Sequence, residues 1–131
     1  MEIQNKLIND ILKKWGYRIY EEDESHLTFR YQLNNVVCLF DGEDENFYTI
    51  GLTNFFEYED KDEHEVLRHC NEVNKSKKLV KTYTIDDNRV FASAEFYCYD
   101  PKDLPKQMKS ALESLISVKL YFVEITANKN D

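Results

Sequence analysis

The chain has 131 residues, a formal net charge of -8 at pH 7 and a pI near 4.9, and hydrophobic residues make up 42% of it. This length fits one domain, residues 1–131, which can bury a core without a disulfide or a metal. The negative charge disfavours nucleic acid and anionic membranes as partners, and no apolar run approaches the ~18 residues that insertion into a membrane requires.

The first predicted element is an amphipathic helix that ends at Gly16. Its apolar side chains recur at steps of three and four residues from Ile3 to Trp15. Glycine is favoured in the left-handed conformation that closes a helix. We expect Trp15 to anchor this helix against the sheet.

A run of antiparallel strands is predicted next. The strands cover residues 17–21, 27–33, 36–40 and 47–56. The second of them alternates, so that its apolar side chains from Leu27 to Leu33 share one face. Asn34–Asn35 is the predicted hairpin turn, because asparagine tolerates a positive φ.

The acidic stretch from Glu57 to Glu65 opens a second predicted helix. Its expected buried stripe consists of Val66, Leu67, Cys70 and Val73. Strands at 79–85 and 89–99 follow, joined by a turn at 86–88. Small residues alternate on one face of the latter strand, at Ala92 and Ala94, which indicates that a helix packs closely over it.

The last predicted helix begins near Pro101 and Pro105 and keeps its period as far as Ile116. The continuation from Val118 to Thr126 is rich in β-branched and aromatic residues, so local propensity leaves helix and strand both open. The element order is α-β-β-β-(β)-α-β-β-α. We predict a two-layer α+β domain with three helices and an antiparallel sheet of five or six strands.

The residues that suggest a catalytic or metal-binding site do not have the spacing that such a site requires. His64 and His69 lie five residues apart, so on a helix they point about 140° apart and cannot share a metal; we expect both at the surface. The acidic loop that starts at Asp41 lacks the glycine and the terminal carboxylate of an EF-hand, and the three glycines form no phosphate-binding loop. We therefore predict no catalytic residue, no metal and no cofactor in a protein that is not an enzyme.

The cysteines indicate a reducing compartment. Cys38, Cys70 and Cys98 are odd in number, lie far apart and sit in apolar stretches, which is typical of packed, reduced thiols. Residues 1–5 have neither the basic nor the apolar region of a signal peptide. We predict a cytoplasmic protein.

Aromatic residues are too numerous on the predicted strands for all of them to face the helices. An exposed aromatic face is typical of a partner-binding surface, although tyrosine also tolerates water. On the last helix, four consecutive large side chains, 120–123, span about 300°, so at least one faces away from the sheet. The candidate interaction residues are Tyr97, Tyr99, Tyr121 and Val123.

Asn71 and Asn74 lie beside the buried stripe of the second helix. Buried amides usually bond to neighbouring backbone groups, so we interpret both as structural amides, with ligand binding as the alternative.

Three segments of the chain resemble the YbjN-like family of bacterial sensory transduction regulators. They are Trp15-Gly16-Tyr17, Leu27-Thr28-Phe29-Arg30, and Cys70-Asn71-Glu72-Val73-Asn74 leading to Leu79-Val80-Lys81-Thr82-Tyr83. The resemblance spans nearly the whole chain and implies a type III secretion chaperone-like fold, with helices on one side of a curved antiparallel sheet. It also implies that the last helix includes 118–126, and that the protein is an interaction module, commonly dimeric, without a cofactor. The chain departs from the family in its many tyrosines and in a turn at 86–89 without glycine.

Two functions follow as hypotheses. The first is a non-catalytic protein-interaction module of bacterial type, regulatory or chaperone-like, which binds a protein partner or forms a homodimer. The second is a small-ligand sensor with a pocket between helices and sheet. A flat apolar patch would favour the first, and a deep pocket with convergent polar groups would favour the second.

Overall fold

The structure is a computed structural model that describes residues 2–128, with side chains from Ile3 onward. Its helices and strands are α1 Glu2–Trp15, β1 Ile19–Glu22, β2 His26–Tyr31, β3 Asn34–Phe40, β4 Phe47–Glu57, α2 Glu63–Ser76, β5 Val80–Ile85, β6 Arg89–Tyr97 and α3 Leu104–Asn128. A turn of 3-10 helix precedes both α2 and α3. The predicted element order is confirmed.

The strands form one antiparallel sheet in the order β1-β2-β3-β4-β6-β5. Among the alternatives of five or six strands, six is therefore correct. Four strands were predicted too long at one end: β1 begins at Ile19, β2 ends at Tyr31, β5 begins at Val80 and β6 ends at Tyr97.

The three helices cover one face of the sheet. A row of paired residues crosses that face from β2 to β5, in the order Leu27, Cys38, Ile50, Ala94 and Val80. All five belong to the same buried cluster as apolar side chains of α1, α2 and α3. The two-layer α+β architecture is thus confirmed. Alanine in β6 lets α3 approach the sheet closely, as the small residues predicted.

The first helix ends as predicted, and several of its side chains anchor it to the core. Gly16 takes a φ of +85°, and its N–H donates to the Lys13 carbonyl at 3.1 Å. Trp15 is only half-buried, whereas Ile8 and Leu12 are fully buried. Trp15 packs against the core from this position, so it contributes to the anchoring of α1 together with Ile8 and Leu12.

A buried glutamine also fixes α1 to the sheet. The Nε2 group of Gln4 donates to the carbonyl oxygens of Glu45, at 3.0 Å, and of Phe47, at 2.7 Å. Each of these carbonyls lies at the entrance to β4. This contact joins the start of the chain to the middle of the sheet.

The turn between β2 and β3 lies two residues earlier than predicted. Gln32 and Leu33 have φ values of +49° and +66°, while Asn34 and Asn35 belong to β3. The Nδ2 group of Asn34 donates to the Gln32 carbonyl at 2.8 Å and so supports the turn from its flank. Leu33 is 88% exposed at the tip and does not share the apolar face of β2.

The final helix is long and includes residues 118–126, as the family resemblance implied. Phe122 is fully buried and contacts Phe55 and Phe56, at ring-centroid distances of 5.5 and 4.9 Å. Consecutive strand residues normally point to opposite faces. An irregularity in the β4–β6 pairing, where Asn54 has a φ of +53°, allows both phenylalanines to reach the helix.

Two expectations for α2 were wrong. Leu67 is exposed, so the buried stripe consists of Val66, His69, Cys70 and Val73. The His69 ring packs edge-on against Phe122, with its Nδ1 atom 3.2 Å from Thr126 Oγ1 and its Nε2 atom 3.2 Å from Glu65 Oε1. His69 therefore joins α2 to α3 inside the molecule and does not lie at the surface.

Candidate interaction site

The face of the sheet opposite the helices is formed by the alternate residues of each strand. One row across it runs Thr28, Val37, Gly51, Ser93 and Lys81. None of the described helices packs on this face. Its centre is nevertheless shielded by its own side chains, since Val37 and Ser93 are buried without belonging to the core cluster.

A phenylalanine ring shields the middle of this outer face. Phe91 is buried on β6 and lies over Gly51 of β4, so closely that a Cβ atom on Gly51 would overlap the ring. Tyr83 of β5 packs beside it at a centroid distance of 5.5 Å. Lys81 and Glu95 form an ion pair in the same region. The centre of the face is thus covered by its own side chains, although the buried Ser93 hydroxyl has no hydrogen-bond partner among the described residues.

One end of the outer face carries two exposed tyrosine rings beside a half-buried phenylalanine, which we call the Tyr97 cluster: Phe47, Tyr97 and Tyr99. Phe47 and Tyr97 are paired residues of neighbouring strands, with ring centroids 5.1 Å apart. The rings of Tyr97 and Tyr99 are parallel within 1° at 5.8 Å. Tyr97 is 51% exposed and Tyr99 is 73% exposed, so the stacked pair presents a large aromatic surface to solvent.

The backbone beneath the Tyr97 cluster is held in place from two sides. Gln107 of α3 donates its Nε2 hydrogen to the Tyr97 carbonyl at 2.9 Å, and the Cys98 N–H donates to the Asn46 carbonyl at 2.8 Å. The two tyrosines therefore project from an ordered segment. Side chains that are already oriented lose less entropy when a partner binds.

The other two candidate residues lie in the helical layer. Val123 is 44% exposed and Leu120 beside it is 63% exposed. Tyr121 is half-buried, and Lys77 of α2 lies over its ring with Nζ 4.8 Å from the centroid. The structure therefore places Tyr121 and Val123 on a separate surface from Tyr97 and Tyr99, and sequence spacing alone could not show this.

Asn74 is bonded to the free edge of the sheet. Its Oδ1 atom accepts from the Thr82 N–H at 2.7 Å and its Nδ2 group donates to the Thr82 carbonyl at 3.1 Å. The Thr82 hydroxyl lies 3.0 Å from Asn74 Oδ1 and 3.2 Å from the Cys70 carbonyl. The Asn74 side chain thus takes the position beside β5 that a neighbouring strand would otherwise take.

Neither asparagine is buried, contrary to expectation. Asn74 reaches the sheet edge from an exposed position, and Asn71 lies in solvent one turn earlier on α2. An amide need not be buried to bond to the backbone here, because the outward N–H and C=O groups of an edge strand are available at the surface.

The cysteines lie in the interior. All three are unpaired and buried, and burial raises the pKa of Cys38 to about 12. Burial also raises the pKa of Cys70 and of Cys98. These thiols are protonated at neutral pH, so they are poor nucleophiles. Among residues 2–128, no group of three His, Cys, Asp or Glu side chains is arranged to hold a metal ion.

The described helices include none with the length and apolar character needed to cross a bilayer.

Comparison with known proteins relates residues 5–119 to the YbjN family model, described as "putative bacterial sensory transduction regulator". Among solved structures, YbjN from E. coli superposes with a TM-score of 0.69 at 12% identity, over 95% of this chain and 93% of that one. The Yersinia pestis type III secretion chaperone SycH, solved with a stable fragment of YscM2, gives 0.62 at 13% identity, over 91% and 98%. No curated protein sequence matches the chain.

A third similar structure is a chain of the heterodimeric ExoU–SpcU complex from the type III secretion system of Pseudomonas aeruginosa. It gives a TM-score of 0.55 at 18% identity, over 87% of this chain and 96% of that one. At identities this low, the superpositions establish the shared fold alone. This fold is the one that the family resemblance implied.

Proposed function

The chain belongs to the YbjN family, and from this membership and the exposed Tyr97 cluster we propose that it is a non-catalytic protein-interaction domain, regulatory or chaperone-like. Two of the similar structures are complexes with another protein. We also propose a cytoplasmic location, because unpaired buried cysteines suit a reducing compartment.

The Tyr97 cluster is the observation that carries this proposal. Tyrosine is enriched among the residues that contribute most to binding at protein interfaces. Here two tyrosine rings are stacked and exposed, and Gln107 bonds to the backbone carbonyl of Tyr97. A partner that covers them would bury aromatic surface at a small entropic cost.

Site-specific photo-crosslinking tests the proposal. A photoreactive phenylalanine analogue is placed at Tyr99 and, as a control, at Tyr20, a similarly exposed tyrosine on β1. We expect one abundant crosslinked protein from Tyr99 in living cells and no corresponding product from Tyr20. The same background products at both positions would contradict an interaction surface at the Tyr97 cluster.

The exposed apolar surface of α3 favours a second interaction, in which another copy of the chain binds this helix. Leu120 and Val123 are adjacent on the helix and face solvent. A two-fold dimer would hide the same apolar patch on both copies, with about 1,200–2,000 Å² buried in total for a stable pair.

Sedimentation of the purified protein tests the dimer. We expect a mass twice the 15.7 kDa of the chain, and a folded monomer when Leu120→Asp and Val123→Asp are combined. Both positions are exposed, so the double variant should keep the circular dichroism of the wild type. A wild-type monomer at every concentration would contradict the dimer.

A further inference from the structure

A cavity of about 300 Å³ opens between the end of α1, strand β2 and helix α3. Its lining residues are Trp15, Tyr17, Tyr31, Lys109 and Leu112. The volume is at the lower end of the range for small-molecule sites. The cavity is remote in the fold from the Tyr97 cluster, which lies on the opposite face of the sheet.

Three aromatic rings form one wall of the cavity. Tyr17 occupies the middle, with its ring centroid 6.4 Å from that of Trp15 and 5.7 Å from that of Tyr31, both edge-to-face. Phe29 supports Tyr17 from the core at 5.9 Å. Leu112 is fully buried and forms an apolar part of the lining. A flat aromatic molecule can therefore contact ring faces and edges together.

Lys109 is the charged residue of the lining. Within residues 2–128 its ammonium group has no hydrogen-bond or ion-pair partner, although the chain carries 25 acidic residues. An unpaired cation beside an apolar wall can bond to an anion more strongly than a cation already neutralised by a carboxylate.

Tyr31 adds a phenol to the lining of the cavity. Burial, together with Tyr17 and Glu113, raises the pKa of Tyr31 above its ordinary value of 10.0, so its O–H stays protonated at neutral pH. A protonated phenol donates a hydrogen bond to an anionic oxygen.

We propose that this cavity is a binding site for a small aromatic carboxylate, with the ring against Trp15, Tyr17 and Leu112 and the carboxylate paired with Lys109. The aromatic rings alone would also suit an organic cation; Lys109 in the lining repels a cation, whereas Glu113 acts on Tyr31 and attracts one, so the comparison of an anionic with a cationic probe decides between the two ligands. The inference goes beyond the proposed interaction function and uses none of the residues of the Tyr97 cluster.

Titration with phenylacetate, followed through the indole N–H resonance of Trp15, tests the proposal. Trp15 is the single tryptophan of the chain, so its signal is unique. We expect a saturable shift with phenylacetate and at least about tenfold weaker binding of phenethylamine, which has a similar ring and the opposite charge. The absence of a saturable shift up to millimolar phenylacetate, or equal binding of the amine, would overturn the assignment.

Matched lysine variants separate the site from general charge. Lys109→Met should weaken phenylacetate binding about tenfold or more, because it removes the charged partner of the carboxylate. Lys106→Met removes the same charge one turn earlier, outside the lining, and should leave the affinity unchanged. Both positions are exposed, so both variants should fold. Equal affinities for the two variants would contradict the role of Lys109, whatever the outcome for protein partners.

Discussion

Replacing Asn74 by leucine removes the contact between α2 and the edge of β5. The amide forms two hydrogen bonds to the Thr82 backbone, at 2.7 and 3.1 Å. A hydrogen bond contributes about 0.5–1.5 kcal/mol net, and water can replace part of this at an exposed position. We expect the free energy of unfolding to fall by about 1–3 kcal/mol, which lowers Tm by roughly 4 °C for each kcal/mol in a domain of this size.

Urea denaturation of Asn74→Leu beside Asn71→Leu measures this contribution. Asn71 lies on the same helix in solvent, so its replacement should change the free energy of unfolding by less than about 0.5 kcal/mol. Thr82→Val keeps the backbone bonds and removes only the hydroxyl, which distinguishes the two parts of the contact. An equal loss of unfolding free energy in the two variants, or no loss in either, would refute the claim that Asn74 stabilises the edge of β5.

Three further predictions concern the interior. Gly51→Ala should destabilise by about 1–3 kcal/mol in urea, because the new Cβ overlaps Phe91 and lies 3.0 Å from the Ala92 carbonyl; the same change should cost less when it is made in a Phe91→Ala background, and a neutral Gly51→Ala would contradict the packing. Phe122→Ala should cost about 3–5 kcal/mol in the same assay, since the ring is fully buried against Phe55 and Phe56; an unchanged midpoint would show that α3 does not pack there. The third prediction concerns Cys38, whose pKa is about 12 in the folded protein against an ordinary 9.0. Between pH 9 and 12 this thiol ionises in the unfolded chain and stays protonated in the folded one, so the free energy of unfolding of the wild type should fall by about 1.4 kcal/mol per pH unit relative to Cys38→Val. Parallel pH profiles of the free energy of unfolding for the two proteins would contradict this.

The period of the apolar residues was enough to predict the layers of the fold. Alternation along β6 placed Ala92 and Ala94 under a helix, where both are fully buried. Local propensity failed where distant contacts decide the conformation. The end of α3 is helical because Phe122 finds a buried position among three aromatic neighbours, and nothing within residues 118–126 itself indicates those neighbours.

The hairpin error has a related cause. Asn34–Asn35 has the composition of a turn, but the chain places positive φ at Gln32 and Leu33. Asn34 instead donates to the Gln32 carbonyl and its Oδ1 atom accepts from Lys119 of α3. A contact across 85 residues is invisible to a local pattern.

The candidate site could be predicted only in part. An excess of strand aromatics pointed to exposed rings, and Tyr97 and Tyr99 are exposed. Their stacking depends on the bend after β6, and their separation from Tyr121 depends on which layer each element occupies. The sequence predicted Trp15 as an anchor of α1. Its position in the lining of a cavity could not be predicted, because that cavity depends on the position of α3.

The affinity for the protein crosslinked at Tyr99 tests the central claim most directly. With that partner purified, calorimetry compares the wild type with Tyr97→Ser, Tyr99→Ser and the control Tyr20→Ser. We predict at least about tenfold weaker binding for each of the first two variants and unchanged binding for the control, because a buried interface tyrosine contributes more than about 1.4 kcal/mol. Unchanged affinity in both Tyr97→Ser and Tyr99→Ser would contradict the claim that this end of the sheet binds a protein.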